Sequence, residues 1–324
     1  MSVTTITSAD VVTEFGSYYL DNGQNVDLLK MRPFEEFGTM DAFTVIDTGM
    51  ETILRLSDVQ VGEIIQPYQD AFTPKGSVTF EPIQIPLQQM KIDQQFNPSK
   101  LANSWLGFLT SNNTDRTTWP FTKWMLEVYL MKQSKKDYEL SLIYTGSAAS
   151  PTAGTAGAAS TSMDGVKKLI NAGITASTIT PITLGTLSTT PATFCTQIET
   201  FVASIPEVYW KENMVINMSR TLRNRYRAGR RAKYNMYFAQ FTDLDQVADF
   251  ENISVVGRAS QVGSVKIWMT PKYNAIMGVK GFSNINGFEV EKVDRNVKVY
   301  TDWWAGIGFL MNDLMWTNDS ELPS

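Results

Sequence analysis

Residues 265–309 read VKIWMTPKYNAIMGVKGFSNINGFEVEKVDRNVKVYTDWWAGIGF. Short apolar segments rich in Val, Ile and aromatic residues alternate here with the turn-forming residues Pro271, Gly281 and Gly287. A tryptophan pair and then Gly306-Ile307-Gly308 close the stretch. The pattern predicts a series of short β-strands, and it holds neither a phosphate-binding glycine loop nor a set of catalytic side chains.

One turn inside this stretch has a clear sequence signal. Asp294-Arg295-Asn296 separates two alternating apolar segments, residues 288–293 and 297–301. Aspartate and asparagine favour tight turns because their side chains bond to nearby backbone groups. We therefore predict a β-hairpin over these residues, with a structural and not a catalytic role.

The composition favours an assembling protein over an enzyme. The 324 residues are 43% apolar, enough for a large core, and only 19% are charged. Surfaces that become buried against other subunits carry few charges, because an unpaired charge is costly to remove from water. The formal net charge of −5 argues against nucleic acid as the main ligand.

The residues that most enzymes and metal sites use are scarce. The chain has no histidine, which removes the commonest general base and metal ligand. Its one cysteine, Cys195, lies in a helical pattern and is expected to be inert core. Asp243 and Asp245 form a weak metal pattern, and we predict instead that they cap a helix over DLDQVADF. We expect no cofactor, no metal and no enzymatic activity.

No targeting or membrane segment is predicted. The first twenty residues lack the basic start and apolar centre of a secretory signal, and the longest late apolar run is interrupted by Asn312 and Asp313. The sequence therefore predicts a protein made in a reducing cytoplasm, without a membrane partner.

Residues 59–97 predict an extended hairpin arm. Four prolines exclude a continuous helix, and Thr73-Pro-Lys-Gly76 is the predicted tip. A long hairpin without its own core is marginal in water, so it is expected to lie across a partner; the alternative is a hairpin packed on its own domain. The residues expected to contact the partner are Ile64, Tyr68, Pro74, Lys75, Gly76, Phe80 and Ile83.

The middle of the chain predicts helices around a low-complexity segment. A first helix, capped by Ser99, covers residues 100–110, and a second, from about Pro120 to Tyr144, would be ~39 Å long. Residues 146–162 are almost wholly Gly, Ala, Ser and Thr and predict an exposed, flexible loop between two domains. Further elements are predicted at Met163–Ala172 (helix), Pro191–Ser204 (helix) and Met214–Met218 (strand).

A basic helix is predicted at residues 219–233, SRTLRNRYRAGRRAK, which contain seven cations and no acid. Three interpretations stay open. The cations could contact packaged DNA without reading bases, pair with acids of a neighbouring subunit, or face solvent balanced by local acids such as Glu199, Glu207 and Glu212. The residues that share one helical face are Arg220, Arg223, Arg227, Arg230 and Arg231.

Taken together, these features resemble the major capsid proteins of tailed bacteriophages with the HK97-like fold. The resemblance is carried by Trp268-Met-Thr-Pro-Lys272, Gly287-Phe-Glu-Val290 and Gly306-Ile307, and by the order of hairpin, long helix, flexible loop and strand followed by basic helix. It implies an α+β fold with these parts: an N-terminal arm (1–41), a peripheral domain (42–58, 98–146 and 287–324) with a long spine helix, an E-loop (59–97), a flexible loop (147–162) and an axial domain (163–286).

The resemblance also implies a function. Such a protein self-assembles into hexamers and pentamers of an icosahedral head around double-stranded DNA, which it contacts non-specifically, and it resides in the virion after assembly in the host cytoplasm. A separate scaffolding protein, a portal and a decoration protein are the implied partners. Covalent crosslinking through Lys75 or Lys91 of the E-loop is a minor possibility. An encapsulin-type compartment and a tail or connector subunit remain the alternatives.

Overall fold

The computed structural model describes residues 38–49, 52–97, 105, 109, 117, 120–234, 244–280, 288–293 and 296–323. Several sequence predictions lie outside these residues: most of the N-terminal arm, all but two positions of the helix 100–110, the turns at Gly281 and Gly287, and Asp243.

The described residues form a mixed α+β structure. Its strands are β1 (Thr44–Asp47), β2 (Ile53–Val61), β3 (Val78–Pro86), β4 (Gln88–Phe96), β5 (Met214–Ser219), β6 (Gln246–Val247), β7 (Phe250–Arg258), β8 (Trp268–Pro271), β9 (Ala275–Val279), β10 (Glu289–Val293), β11 (Asn296–Phe309) and β12 (Trp316–Thr317). Its longer helices are α1 (residues 121–142), α2 (Val166–Thr175), α3 (Pro191–Ala203) and α4 (Arg220–Tyr234). Short 3₁₀ turns are Met40–Ala42, Ala159–Thr161, Glu207–Tyr209, Ala259–Gln261, Lys272–Asn274 and Asn312–Leu314.

The stretch 265–309 contributes β9, β10 and β11 to the first sheet, which has the order β1-β9-β11-β10, and β8 to the second. The predicted hairpin is confirmed, since β10 and β11 pair antiparallel. The strand β11 extends beyond the predicted 297–301 because two further strands pair with it in succession. β4 pairs with residues Val297 to Ala305 of β11, and β9 pairs with residues Ala305 to Phe309.

The hairpin arm differs from the predicted segment 59–97. The two-stranded ribbon is formed by β2 and β3, which pair antiparallel from Ile53 opposite Pro86 to Val61 opposite Val78. It therefore begins six residues earlier than predicted, and β4 leaves it to join the first sheet. The prolines are consistent with this arrangement, since a residue without an N–H group is tolerated at a strand edge.

Glycines of the first sheet let the root of the ribbon, the end at Ile53 and Pro86, pack directly on the backbone of the sheet. A Cβ atom on Gly306 would lie 2.4 Å from the carbonyl oxygen of Pro86, and one on Gly308 would lie 2.5 Å from the side chain of Ile85. A Cβ atom on Gly278 of β9 would likewise lie 2.8 Å from the side chain of Leu87. The Gly306-Ile307-Gly308 sequence thus forms part of the surface on which the root of the ribbon packs.

The second sheet has the order β12-β8-β5-β7-β6 and a separate core. Pro191 starts α3 at its first turn, as predicted, and Phe194, Cys195 and Ile198 of this helix are completely buried. The predicted helix over DLDQVADF is wrong. Residues 244–250 form a turn, the short strand β6 and the start of β7, with Asp249 at a φ of 67°, a conformation that aspartate tolerates better than most residues.

The helix α1 confirms the predicted long helix, but its winding is unusual. It consists of the α-helical segments Phe121–Trp124 and Met131–Asp137, which alternate with the wider π-helical segments Met125–Leu130 and Tyr138–Leu142. Gly146 then donates its N–H to the carbonyl oxygen of Leu142 at 2.9 Å. Near this end Tyr138 is buried in the core of the first sheet.

The low-complexity segment forms a loop whose two ends are joined by hydrogen bonds. The N–H of Ser147 donates to the carbonyl oxygen of Ser160 at 2.7 Å, and that of Ala149 to Thr161 at 3.0 Å. The helix α2 follows three residues later than predicted, and Gly173 lies inside it, against the side chain of Ile179.

Candidate assembly surfaces

The outer end of the ribbon turns at a different place from the predicted tip. Beyond the last strand pairs, the side-chain amide of Gln66 donates to the carbonyl oxygen of Thr73 at 2.8 Å. The register set by β2 and β3 therefore places the turn at residues 67–72. The predicted tip, residues 73–76, is wrong: it lies on the returning chain, where Gly76 adopts a φ of 93°.

Lys75 stabilises this returning chain. Its Nζ atom donates to the carbonyl oxygen of Ile65 at 2.5 Å and lies 3.1 Å from a carboxylate oxygen of Glu63. A lysine that bridges the two sides of a hairpin holds them together, although an exposed ion pair contributes little. The crosslinking prediction for Lys75 and Lys91 stays a prediction.

The ribbon residues predicted to contact a partner are mostly exposed. Tyr68 is 92% exposed at the turn, and Phe72, which the sequence analysis did not single out, is 94% exposed. Ile64 and Phe80 are also exposed, as are Pro74 and Gly76. Ile83 differs, because it is half-buried near the root of the ribbon. Large apolar side chains gathered on a projecting ribbon indicate an interaction surface, whereas single ones do not.

The basic helix α4 begins with a serine cap and packs on the second sheet. The hydroxyl of Ser219 accepts a hydrogen bond from the N–H of Leu222 at 3.4 Å, which confirms the predicted strand, serine and helix order. Leu222 and Tyr226, four residues apart on one face of the helix, are buried. Gly229 allows a close crossing of α3, because a Cβ atom there would lie 2.1 Å from the carbonyl oxygen of Pro191.

Two arginines of α4 share one carboxylate within the chain. Arg223 forms a two-pronged hydrogen bond with Asp245, with N–O distances of 3.0 and 2.5 Å. Arg227 donates from Nη2 to the same carboxylate at 3.1 Å, and its Nε atom lies 2.9 Å from the other carboxylate oxygen. Burial raises the pKa of Asp245, but the hydrogen bonds and charges of the two arginines outweigh it and leave the pKa below its usual 3.8. This pairing fastens α4 to the turn before β6.

Other cations of α4 also have partners in the chain. Arg230 donates to the carbonyl oxygen of Gln246, and Lys233 pairs with Glu199. Arg225 donates to the carbonyl oxygen of Ser188 at 3.0 Å. Of the local acids expected from the sequence, Glu199 is therefore found in this role, and Asp245 was missed because a helix was predicted there.

The exposed charge of α4 is consequently smaller than the sequence indicates. Arg220 and Arg231 are exposed, and no acidic side chain among the described residues lies within ion-pair distance of either. They are eleven residues apart, or ~16 Å along the helix, on nearly the same face. The five arginines predicted as one face thus divide into three held inside the subunit and two available to a partner.

Comparison with known proteins identifies the fold. No protein-family model matches the sequence, and no curated protein matches it significantly. One similar solved structure is the satellite phage P4 procapsid, including size determination (Sid) protein. One of its chains is 12% identical in sequence to this chain and gives a TM-score of 0.60, over 95% of this chain and 96% of that chain. This chain has the fold of a phage capsid protein.

Two more capsid structures share this fold. The capsid of Myoviridae phage XM1 gives a TM-score of 0.55 at 13% identity, over 88% of this chain and 92% of that chain. The capsid of the empty GTA particle gives 0.52 at 11% identity, over 86% and 87%. The sequence resemblance to phage capsid proteins is therefore confirmed for the fold.

In this capsid fold, a buried polar junction fixes the chain where it leaves the N-terminal segment. Arg258 at the end of β7 donates to the carbonyl oxygen of Gly38 and, at 2.7 Å, to the side chain of Asn217. The hydroxyl of Thr39 donates to Glu139 of α1 at 2.5 Å. Burial lowers the pKa of Arg258. Sequence reasoning missed this junction, since its members are far apart along the chain.

A second buried polar group lies near the C-terminal end of the capsid fold. Lys266 is completely buried, and its Nζ atom has no hydrogen-bond partner among the described residues. Burial lowers the pKa of Lys266 to about 8. The neighbouring Glu321 accepts hydrogen bonds from the N–H of Val265 at 2.7 Å and from the hydroxyl of Ser264 at 2.9 Å.

The described residues of the capsid fold contain no cluster of acidic, histidine or cysteine side chains able to hold a metal ion. Burial, together with the adjacent Glu199, raises the pKa of the Cys195 thiol to about 12, so the thiol is unreactive at neutral pH. Among the helices of the described residues, none has the length and apolar character needed to cross a membrane.

Proposed function

We propose that this chain is a major capsid protein that self-assembles into hexamers and pentamers of an icosahedral phage head enclosing double-stranded DNA. The observation that carries the proposal is an apolar ribbon that projects from a phage capsid fold with its large side chains in water. A two-stranded ribbon is marginal on its own and gains stability by packing against another surface.

In this proposal the parts of the chain have the roles that the HK97-like fold assigns. The ribbon of β2 and β3 is the E-loop, α1 is the spine helix, the first sheet belongs to the peripheral domain and the second to the axial domain. This assignment moves β9 out of the predicted axial segment 163–286 and β12 out of the predicted peripheral segment 287–324. The N-terminal arm reaches a further subunit. The protein acts by assembly and not by catalysis, without a cofactor.

The exposed arginines of α4 are assigned to contacts between subunits. Arg223 and Arg227 share the single carboxylate of Asp245 within the subunit, which leaves Arg220 and Arg231 for an outside partner. Two cations are few for holding DNA, whose affinity grows with the number of phosphates contacted. Packaged DNA is then held by weak, non-specific contacts. A separate scaffolding protein, a portal and a decoration protein are the further partners, and the finished subunit resides in the virion after assembly in the host cytoplasm.

Electron microscopy of the full-length chain, expressed with and without the scaffolding protein of its phage, tests the proposal. We expect closed icosahedral shells, and in infected cells shells that contain nuclease-resistant DNA. Shells filled with a cargo protein and free of DNA would show an encapsulin-type compartment instead. Tubes or rings would show a tail or connector subunit, and a chain that stays monomeric under all conditions would contradict the proposal.

A further inference from the structure

The apolar side of the ribbon changes face halfway along its length. Near the root, Leu54 lies opposite Ile85 and Leu56 opposite Ile83. Side chains of directly opposed residues, and of residues two apart, share a face of the ribbon. Leu54 and Ile85 are buried against Ile276 of β9, so this inner face packs on the subunit's own first sheet.

Farther out, the apolar pairs occupy the other face. Val59 lies opposite Phe80, and Val61 opposite Val78, one residue out of phase with Leu54 and Leu56. A shift of one residue moves side chains to the opposite face of a strand. These four side chains are between 49% and 66% exposed. The positions that continue the inner face outward are polar or charged by residue type: Asp58, Gln60, Thr79 and Glu81.

The two faces therefore have opposite character in the two halves of the ribbon. Between the first pair, Ile53 opposite Pro86, and the pair Ser57 opposite Pro82, the outer face carries Arg55 and Gln84, which are exposed to water. Beyond Ser57 opposite Pro82, the outer face becomes apolar. A ribbon that only rested on its own subunit would keep its apolar residues on the inner face along its whole length.

We propose that the outer half of the ribbon docks a second copy of this chain through the face formed by Val59, Val61, Val78 and Phe80, so that the ribbon is held between two subunits on opposite faces. This inference rests on the proposed function and adds to it which face is used. Phe80 together with Tyr68 and Phe72 at the turn exposes roughly 500 Å². With the aliphatic residues, the surface approaches the ~800 Å² that each partner of a stable complex contributes.

Substitutions at two adjacent residues test which face of the ribbon contacts the second subunit. Phe80 and Thr79 are both exposed and equally far from the root, but they lie on opposite faces. We expect Phe80→Asp to reduce the yield of shells at least tenfold, and Thr79→Asp to assemble like the unchanged chain. Circular dichroism and thermal unfolding of the unassembled subunits confirm that both variants fold. Equal assembly of both folded variants, or equal failure of both, would overturn the assignment.

Thiol labelling gives a second measurement that does not depend on disrupting the shell. The single cysteine, Cys195, is buried and gives a low background. We expect the new thiol of the Phe80→Cys variant to react with maleimide in free subunits and to react at least tenfold more slowly in shells. The new thiol of the Thr79→Cys variant should remain reactive in both. The reverse pattern would contradict the proposed face. If the unchanged chain forms no shells, the proposed function fails, and the inference with it, whereas shells with an unprotected residue 80 defeat the inference alone.

Discussion

At the residue scale, the least expected side chain is Lys266. It lies completely buried beside a segment held by Glu321, but its ammonium group has no hydrogen-bond partner among the described residues. A buried charge without a partner costs free energy, and this cost lowers the pKa of the group to about 8. The charge therefore destabilises the subunit at neutral pH.

Replacing Lys266 by methionine should make the subunit more stable at pH 7, by about 1–3 kcal/mol. The pKa of Lys266 is lowered in the folded chain, so the unfolded chain binds more protons between pH 8 and 10.5. The penalty in the unchanged protein is complete below pH 8 and decreases as the pH rises. The advantage of Lys266→Met in urea unfolding should thus shrink from pH 7 to pH 9.5. The exposed Lys211→Met serves as control and should show no such trend.

At the element scale, the ribbon depends on glycines in β11. Gly306 leaves room for the carbonyl oxygen of Pro86, which a Cβ atom would approach to 2.4 Å. The contact is with backbone and not with a flexible side chain, so the ribbon root itself must move. Gly306→Ala should destabilise the subunit by about 2 kcal/mol or more.

Thermal unfolding of the unassembled subunit measures this effect. The matched control is Gly157→Ala in the exposed loop, where the nearest neighbouring atom to a new Cβ is the hydroxyl of Thr161 at 3.4 Å. We expect that change to be within 0.5 kcal/mol of zero, on the order typical of surface sites. A Gly306→Ala variant as stable as this control would show that the ribbon root can shift freely.

Local sequence signals predicted most of the helices and strands. The bounds that were predicted wrongly depend on pairing between strands that are distant along the chain. Pro191 and the spacing of Phe194 and Ile198 suffice to predict α3. The sequence of β3 also contains the change of phase between Phe80 and Ile83. It could not show which half packs on the subunit, because that depends on contacts with the distant strands β9 and β11. The extent of β11 was underestimated for the same reason, since successive partners lengthen it.

At the scale of the whole molecule, the exposed charge of α4 bears on assembly. Reversing the charges of Arg223 and Arg227 would break their pairing with Asp245 inside the subunit. A loss of shells would then not distinguish a folding defect from a lost contact between subunits. Arg220 and Arg231 avoid this problem, because both are exposed. We expect Arg220→Glu with Arg231→Glu to lower the shell yield at least tenfold while leaving thermal unfolding of the subunit unchanged.

The charge-conserving pair Arg220→Lys with Arg231→Lys is the control and should assemble. Electron microscopy and the DNA content of purified particles are the measurements. Shells of normal yield with reduced DNA would assign these arginines to DNA. Normal shells with normal DNA content would show that this face meets only solvent.

The candidate surfaces were predictable to different degrees. The basic run and the proline-rich ribbon stand out in the sequence, so both were found. The residues of α4 left free for a partner were not found, because Asp245, predicted to cap a helix, instead lies in a turn and pairs with two of the arginines. The turn of the ribbon was misplaced because Pro74 and Gly76 are strong turn residues locally, while the pairing of β2 with β3 fixes the register.

The low-complexity loop offers a practical use for this subunit. Its ends are held together by the hydrogen bonds from Ser147 to Ser160 and from Ala149 to Thr161, so the fold does not depend on the length of what lies between them. Each doubling of a flexible loop costs only about 0.6 kcal/mol in closure entropy. A foreign peptide inserted beside the exposed Gly154 would therefore be displayed once on every subunit, at a site where the subunit tolerates added sequence.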